Sequence, residues 1–535
     1  MSSNLYEPSL SETNNTRGYR NTGALLTEKD LKSNYSKDID ARSRDLENGS
    51  KDLENGYKDL DSVDSKLASD SDITPEEYLE RVVALEAEHN INYRDCSWQK
   101  TAGLLFSEYI CLAIMSFPWS YSVLGLGLGL IVTVIVALIV LYTGLIITEY
   151  CAAYPHLTNV CDIGQHLFWG SKWVWYATAV CFLLNNTLIQ ALHVLVGAKY
   201  FNTISDNSTI CSVVFAVVTT FICFALSLPR TFSSLSSVAY FSAITMFIAV
   251  ILSVVFAAIQ DHPNGYEKLQ APVHYTVWPE KGTSYVSIMS AVLNIVYTFV
   301  GQITYPSFIS QMKQPKDFKK ALYIVTACEL VVFALAGSIV YVYVGNAYIT
   351  APSFGSLTGN YKKIAFSFAL PTILFLGSLY GNVSSQFLFL KIFKADSIHR
   401  NEHTVKGWLV WASLNLTLWL LAFVIGEVIP FFSDLLSLMS SLFDCWFGFI
   451  FWAVAFFKLK KLHYWKTEQI KGISVWEIFT RASLLVKAEC IVNVVLIALG
   501  VYILIPGLYA TVQSIIWSYR DSAYGSPFTC VSNGL

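Results

Sequence analysis

The 535-residue chain is 54% hydrophobic and only 14% charged, with a mean hydropathy of +0.47, which excludes a soluble globular domain and indicates an integral membrane protein. Its formal charge of −3 hides an asymmetry: residues 1–97 hold 12 Lys/Arg against 21 Asp/Glu, and the remainder 24 against 18, so no basic excess points to nucleic acid. Eleven cysteines form no CxxC pair and no Cys/His cluster, so neither a metal site nor a nucleophilic triad can be built and no resident cofactor is expected.

In chain order, residues 1–73 are rich in Ser, Asn, Asp and Lys and poor in aromatics, the composition of a disordered tail. A decaying repeat lies inside it: RDLENGS (44–50), KDLENGY (51–57) and KDLDSVD (58–64). One Leu per seven residues makes no a/d seam, which excludes a coiled coil. The tail's Ser and Lys residues suit modification and contact with trafficking or ubiquitin machinery. Thr74-Pro75-Glu76-Glu77 then reads as a helix start, opening a cytoplasmic amphipathic helix and linker over 74–97. The opening residues show no apolar core or cleavage pattern, so the first span is expected to direct targeting.

From Thr101 onward eleven apolar segments approach membrane length, at about 101–125, 127–151, 173–198, 210–228, 236–259, 284–308, 321–345, 364–390, 407–426, 429–457 and 488–517. With the N-terminus cytoplasmic, inner segments after residue 98 hold 18 Lys/Arg and outer ones six, which satisfies the positive-inside rule. The membrane domain is then 98–520 and the C-terminal tail, 521–535, is extracellular. Asn207-Ser208-Thr209 is a sequon in an expected outer loop. Cys211 and Cys530 are the two cysteines expected on or beside the outer face, where they could pair.

Two of these spans carry matched interruptions. The first holds Glu108, Ser116 and Pro118; the sixth holds Asn294, Gly301, Gln302 and Pro306. A bilayer cannot hydrate loose backbone, so non-helical chain at that depth must line a protein cavity. Paired interruptions opening two five-helix halves point to a secondary transporter, whereas a single one would favour a kinked helix of a receptor or channel. The fold class expected is all-α integral membrane, with eleven transmembrane helices, a 5+5 inverted repeat and broken helices 1 and 6. Unwound backbone near Cys111–Ser116 and Phe299–Gln302 is the expected substrate site, since half-helix N-termini attract a carboxylate.

An intramembrane carboxylate costs roughly 2.5–3.5 kcal/mol on insertion scales, so each should face a cavity, water or a partner. Glu149, Glu427 and Glu489 lie near span ends and read as interfacial. Glu329, Asp434 and Asp444 are deeper, but on other helices than the broken pair. Glu108 lies roughly 12 Å into the first span, beside the interruption, and is the candidate for proton coupling. His193 is the histidine well inside a span, either a proton relay or an interhelical hydrogen-bonding residue. Asn185, Asn186 and Gln190 in span 3, and Tyr380, Asn382, Ser384 and Ser385 in span 8, add polar groups that line a site or join helices.

At these residues the chain resembles the amino acid/auxin permease family, most closely its fungal neutral amino acid permeases. SEYICLAIMSFPWSYSVLG (107–125) is similar to the family's first helix, DIGQHLFWG (162–170) to the segment after helix 2, and LPRTFSSLSSVAYFS (228–242) to the loop before helix 5. FVGQITYPSFISQMKQPKDFKKAL (299–322) is the most specific match. The resemblance implies an amino acid substrate and coupling to an ion, usually the proton rather than sodium. Carried onto this chain, the substrate region falls on Ala113, Ile114, Ser116 and Pro118 in helix 1 and on Phe299, Gly301 and Gln302 in helix 6, with Asn186 and Asn382 as further candidates. Ala113 stands where the family often has glycine, which would narrow the pocket.

The expectation is a proton-coupled symporter, not an enzyme, importing neutral L-amino acids across the plasma membrane. A vacuolar or other organellar transporter, or a non-transporting sensor of the same fold, remains open at this point.

Overall fold

The computed structural model of the protein describes residues 77, 79–81, 96–206, 209–230, 236–393, 397–401, 403–470, 472–521 and 527–535. The tail, most of the helix expected at 75–90, and Asn207 and Ser208 of the sequon lie outside the described residues. Within them the chain is helical, and the only strand-like pairing is an isolated bridge between Cys96 and Met312.

Eight helices among the described residues are long and apolar enough to cross a membrane, or nine if the bent pair at Trp98–Tyr109 and Leu112–Leu124 is one span. Two further expected spans coincide with shorter apolar helices, Ser212–Ser227 and Tyr285–Phe299. We label the elements α1 (Trp98–Tyr109), α2 (Phe117–Leu124), α3 (Leu126–Ala153), α4 (Val160–Leu167), α5 (Lys172–Ile204), α6 (Ser212–Ser227), α7 (Ser236–Ile259), α8 (Tyr285–Phe299) and α9 (Tyr305–Ser310). Then follow α10 (Phe318–Val344), α11 (Gly359–Ile392), α12 (Val405–Val428), α13 (Phe432–Met439), α14 (Phe451–Glu468), α15 (Val475–Arg481), α16 (Leu484–Tyr502) and α17 (Leu508–Asp521).

Helix α3 shows how such elements divide their faces. Thr133, Ala137, Val140, Gly144 and Ile147 are buried at helical spacing, while Ile131, Ile135 and Leu138 are exposed on another face. Both faces are apolar, as expected where one meets protein and the other lipid.

Both interruptions are built by the same local device. After α1, Ile110 and Cys111 leave helical geometry, a short 3₁₀ turn covers Leu112–Ser116, and α2 begins with Pro118 in its first turn. After α8, Val300 is extended and α9 begins with Pro306 in its first turn. Proline lacks an N–H and fits the opening turn of a helix, so each proline starts the second half-helix and forbids continuation of the first. The bend in the first pair is 43°. The two broken segments are also tied at their ends: Cys96 donates to the Gln311 carbonyl at 3.1 Å, and Lys313 donates to the Cys96 carbonyl at 3.0 Å.

Two motif segments serve this scaffold. In DIGQHLFWG, the Asn159 side chain caps α4, Trp175 donates to the Asp162 carboxylate at 2.9 Å, and a Cβ on Gly164 would fall 2.7 Å from Thr178 Oγ1. Around LPR, the Trp411 indole donates to the Leu228 carbonyl at 2.8 Å, and the Arg230 guanidinium lies 4.6 Å from the Trp408 ring centre. At the opposite end of α5 and α6, Cys211 and Cys530 are joined by a disulfide. The segment beyond Cys530 is bound to the helix ends there: Asn202 donates to Asn533 at 2.7 Å and Lys362 to the Leu535 carbonyl at 2.6 Å.

Candidate substrate site

Where the broken segments meet, five parts of the chain enclose a cavity of about 70 Å³. Helix α1 and its break supply Glu108, Tyr109 and Cys111, and α5 supplies Asn185 and Ile189. The end of α8 and its break supply Tyr297, Thr298, Val300, Gly301 and Ile303. Tyr380 of α11 and Phe443, Asp444 and Phe447, on the stretch after α13, complete the wall.

Glu108 is held from two directions. The Tyr380 hydroxyl donates to its Oε1 at 3.0 Å, and Thr304 Oγ1 lies 3.4 Å from its Oε2. Thr304 also reaches the Gly301 carbonyl at 2.8 Å. A hydroxyl has one proton, and the shorter contact takes it. With its proton on the Gly301 carbonyl, Thr304 can accept from a protonated Glu108, and by turning that proton it can donate to an ionised one, so the site serves both forms of the acid. No lysine or arginine pairs with Glu108 among the described residues.

Tyr109 donates to Tyr305 at 2.7 Å and so links the two breaks. Its ring lies directly over Gly301, where a Cβ would fall 2.1 Å from the hydroxyl oxygen. Gly301 is not among the glycines with positive φ, so it is required by this close approach and not by backbone handedness. Among the described residues the amides of Gly301, Gln302 and Ile303 donate to no backbone carbonyl, which leaves polar N–H groups beside the cavity.

Of the residues singled out from the sequence, Glu108 and Gly301 line this cavity, and Cys111, Asn185, Tyr380 and Asp444 join them. The others lie elsewhere in the bundle. Ala113, Ile114, Ser116 and Pro118 are buried in the packing of the 3₁₀ turn and α2, where Ser116 donates to the Ala113 carbonyl at 2.7 Å. Phe299 packs edge-on against Phe117 and Phe333. Gln302 donates to Thr143 at 3.0 Å, across to α3. Asn186 donates to Ser384 at 3.1 Å, and Asn382 donates to the Ser227 carbonyl at 3.0 Å. His193 is buried against Gly377, and its Nδ1 has no hydrogen-bond partner. The aromatic wall of Tyr109, Tyr297, Phe443 and Phe447 escaped the sequence reading, because aromatic residues in an apolar span carry no signal of direction.

Of the remaining carboxylates, Glu329 is buried with an Oε1 that has no hydrogen-bond partner, and three others have partners. Glu149 pairs with Lys319 and Glu489 with Lys460, each at 3.0 Å. Asp434 accepts from Ser514 and Ser518 at 2.6 Å each.

A family model described as transmembrane amino acid transporter protein matches residues 94–498. The chain belongs to that family. The resemblance read from the four motif segments is thereby borne out, and the transporter is a multi-pass membrane protein from a family of transporters, not enzymes. It is similar to the N amino acid transport system protein of Neurospora crassa, with 29% identity over 445 residues, or 83% of this chain and 90% of that protein. A transmembrane transporter of Gibberella moniliformis is 25% identical over 459 residues, covering 85% of this chain and 91% of the relative. Among solved structures, a mutant manganese transporter from Eremococcus coleocola aligns with a TM-score of 0.43 and 13% identity, over 79% of this chain and 93% of that one.

Proposed function

We propose that the transporter imports neutral L-amino acids together with protons across the plasma membrane. The arrangement we propose has eleven spans, ten of them forming two inverted five-helix halves. The observation that carries the coupling is the placement of Glu108, a carboxylate without a cationic partner among the described residues, beside both breaks and within reach of two hydroxyl groups. A group so placed can accept a proton when the site faces outside and lose it when the site faces inside. That behaviour favours the proton over sodium as the driving ion.

The Neurospora crassa relative is by name an amino acid transport system protein, which supports amino acids as the substrate class. The substrate carboxylate would meet the unwound amides at Gly301 and Ile303. An uncharged side chain would suit Ile189, Val300, Phe443 and Phe447, and the lining contains no lysine or arginine to hold an acidic one. Uptake of the common amino acids one at a time, with external pH and sodium varied, tests this reading. Accumulation that demands sodium, or no accumulation of any of them, would overturn it.

The orientation we propose puts the N-terminus inside. The Cys211–Cys530 disulfide fits an oxidising outer face for the loop after α5 and for the C-terminal segment. Protease added to intact cells should therefore remove a C-terminal tag and spare an N-terminal one. The reverse pattern would refute both the orientation and the span count.

A further inference from the structure

The cavity contains a second carboxylate to which the coupling reading gives no task. Asp444 lies in Ser440–Ile450, a stretch wound as a π-helix. Wider i→i+5 winding shifts side chains around the axis and occurs frequently at functional sites. Here Phe443, Asp444 and Phe447 all reach the cavity wall. Asp444 is only 6% exposed, and its Oδ2 has no hydrogen-bond partner. No lysine or arginine pairs with it among the described residues.

Glu329 on α10 is likewise buried with an unpartnered oxygen, but it does not line the cavity, and other carboxylates of the bundle have partners. Asp434 has both oxygens bonded by serines, and Glu108 is met by Tyr380 and Thr304. A buried carboxylate oxygen without a partner is costly, and an arriving cation removes that cost. The neighbouring Phe443 and Phe447 favour a cation too, because an aromatic face attracts positive charge.

We propose that Asp444 binds the α-ammonium group of the substrate and so determines specificity, restricting the site to molecules that carry a protonated amine. This rests on reading the cavity as the amino acid site. The two carboxylates then divide the work. Glu108 gains and loses the proton that drives transport, whereas Asp444 pairs as a carboxylate with the arriving ammonium. The substrate's own carboxylate turns to the amides at Gly301 and Ile303.

The test compares wild type, Asp444→Asn and Asp444→Glu in two measurements. The first is uptake, normalised to surface abundance, of an amino acid that wild type accumulates, with the matching 2-hydroxy acid as competitor. The second is thermal stabilisation of the purified transporter by the same two compounds. Asp444→Asn should raise KM at least tenfold with a smaller change in maximal rate, and should leave the pH profile of uptake as in wild type. It should also erase the preference for the amino acid over the hydroxy acid in both measurements, and Asp444→Glu should recover part of it.

An unchanged KM in Asp444→Asn overturns the proposal. A flattened pH profile overturns it as well, since Asp444 would then be a proton site. Loss of surface protein in both variants, with an unaltered ligand preference in whatever folds, would make the residue a packing element. A wild-type protein that accumulates no amino acid, yet is stabilised by one through Asp444, would sink the transport reading and leave this assignment standing.

Discussion

Replacing Glu108 by Gln should give a transporter that reaches the surface and exchanges amino acid across the membrane but no longer concentrates it. Gln has nearly the shape of a protonated glutamic acid. Its oxygen can accept from Tyr380, as Oε1 does at 3.0 Å, and its amide can donate to Thr304 Oγ1, where Oε2 lies at 3.4 Å. The variant therefore resembles a site fixed in its neutral form, and folding should survive because no buried polar group loses its partner. Wild-type uptake should rise as external pH falls, because proton binding outside drives import. The Gln variant should lack that slope. The ionisable groups facing Glu108 are Tyr109 on its own helix, Cys111, Tyr297, Tyr380 and Asp444 in the cavity wall, Tyr305 of α9 and Glu329 of α10. Accumulation against a gradient that still depends on pH would move the proton site away from Glu108. His193 would be examined first, because its Nδ1 has no partner, whereas both oxygens of Asp434 are bonded.

The breaks were legible in the sequence because proline and unsatisfied backbone obey rules that do not depend on tertiary context. Pro118 and Pro306 each stand in the first turn of a half-helix, as their missing N–H requires. Glu108 was legible for a similar reason, since a carboxylate inside a span needs a cavity or a partner. Which neighbours of a break face the cavity was not legible. That depends on the angle at which the chain leaves α1, and the 3₁₀ turn carries Ala113, Ile114 and Ser116 into packing, while Glu108, Tyr109 and Cys111 meet the cavity. Asn382 shows the limit of polarity as a signal. Its amide group could line a site or join helices, and here it joins α11 to the end of α6 at Ser227. Asp444 was read as lying on the wrong helix. The π-helical winding that brings it to the cavity wall follows from how its helix packs, which one-dimensional periodicity does not record.

Gly301→Val should lower uptake at least tenfold at normal surface abundance. The reason is space and not backbone handedness. Gly301 does not need positive φ; it needs to be small, because the Tyr109 ring occupies the space a side chain would fill. A Cβ there would lie 2.1 Å from the hydroxyl oxygen and 2.6 Å from Cζ, well inside van der Waals contact. Tyr109 cannot easily swing aside, because it is buried and its hydroxyl is bonded to Tyr305 at 2.7 Å. Inserting atoms into such packing typically costs about 1–3 kcal/mol, and here the strain falls on the contact that joins the two breaks. The spans themselves pack elsewhere, so the protein should still fold and reach the surface. Gly301→Ala should show an intermediate loss, since it adds the clashing carbon without the branches. Tyr109→Phe makes a control, because it removes the hydrogen bond to Tyr305 but leaves the ring in place over Gly301. If Gly301→Val transports at the wild-type rate, the Tyr109 ring does not stay over Gly301 during transport. The close approach of the two breaks would then play no part in the cycle.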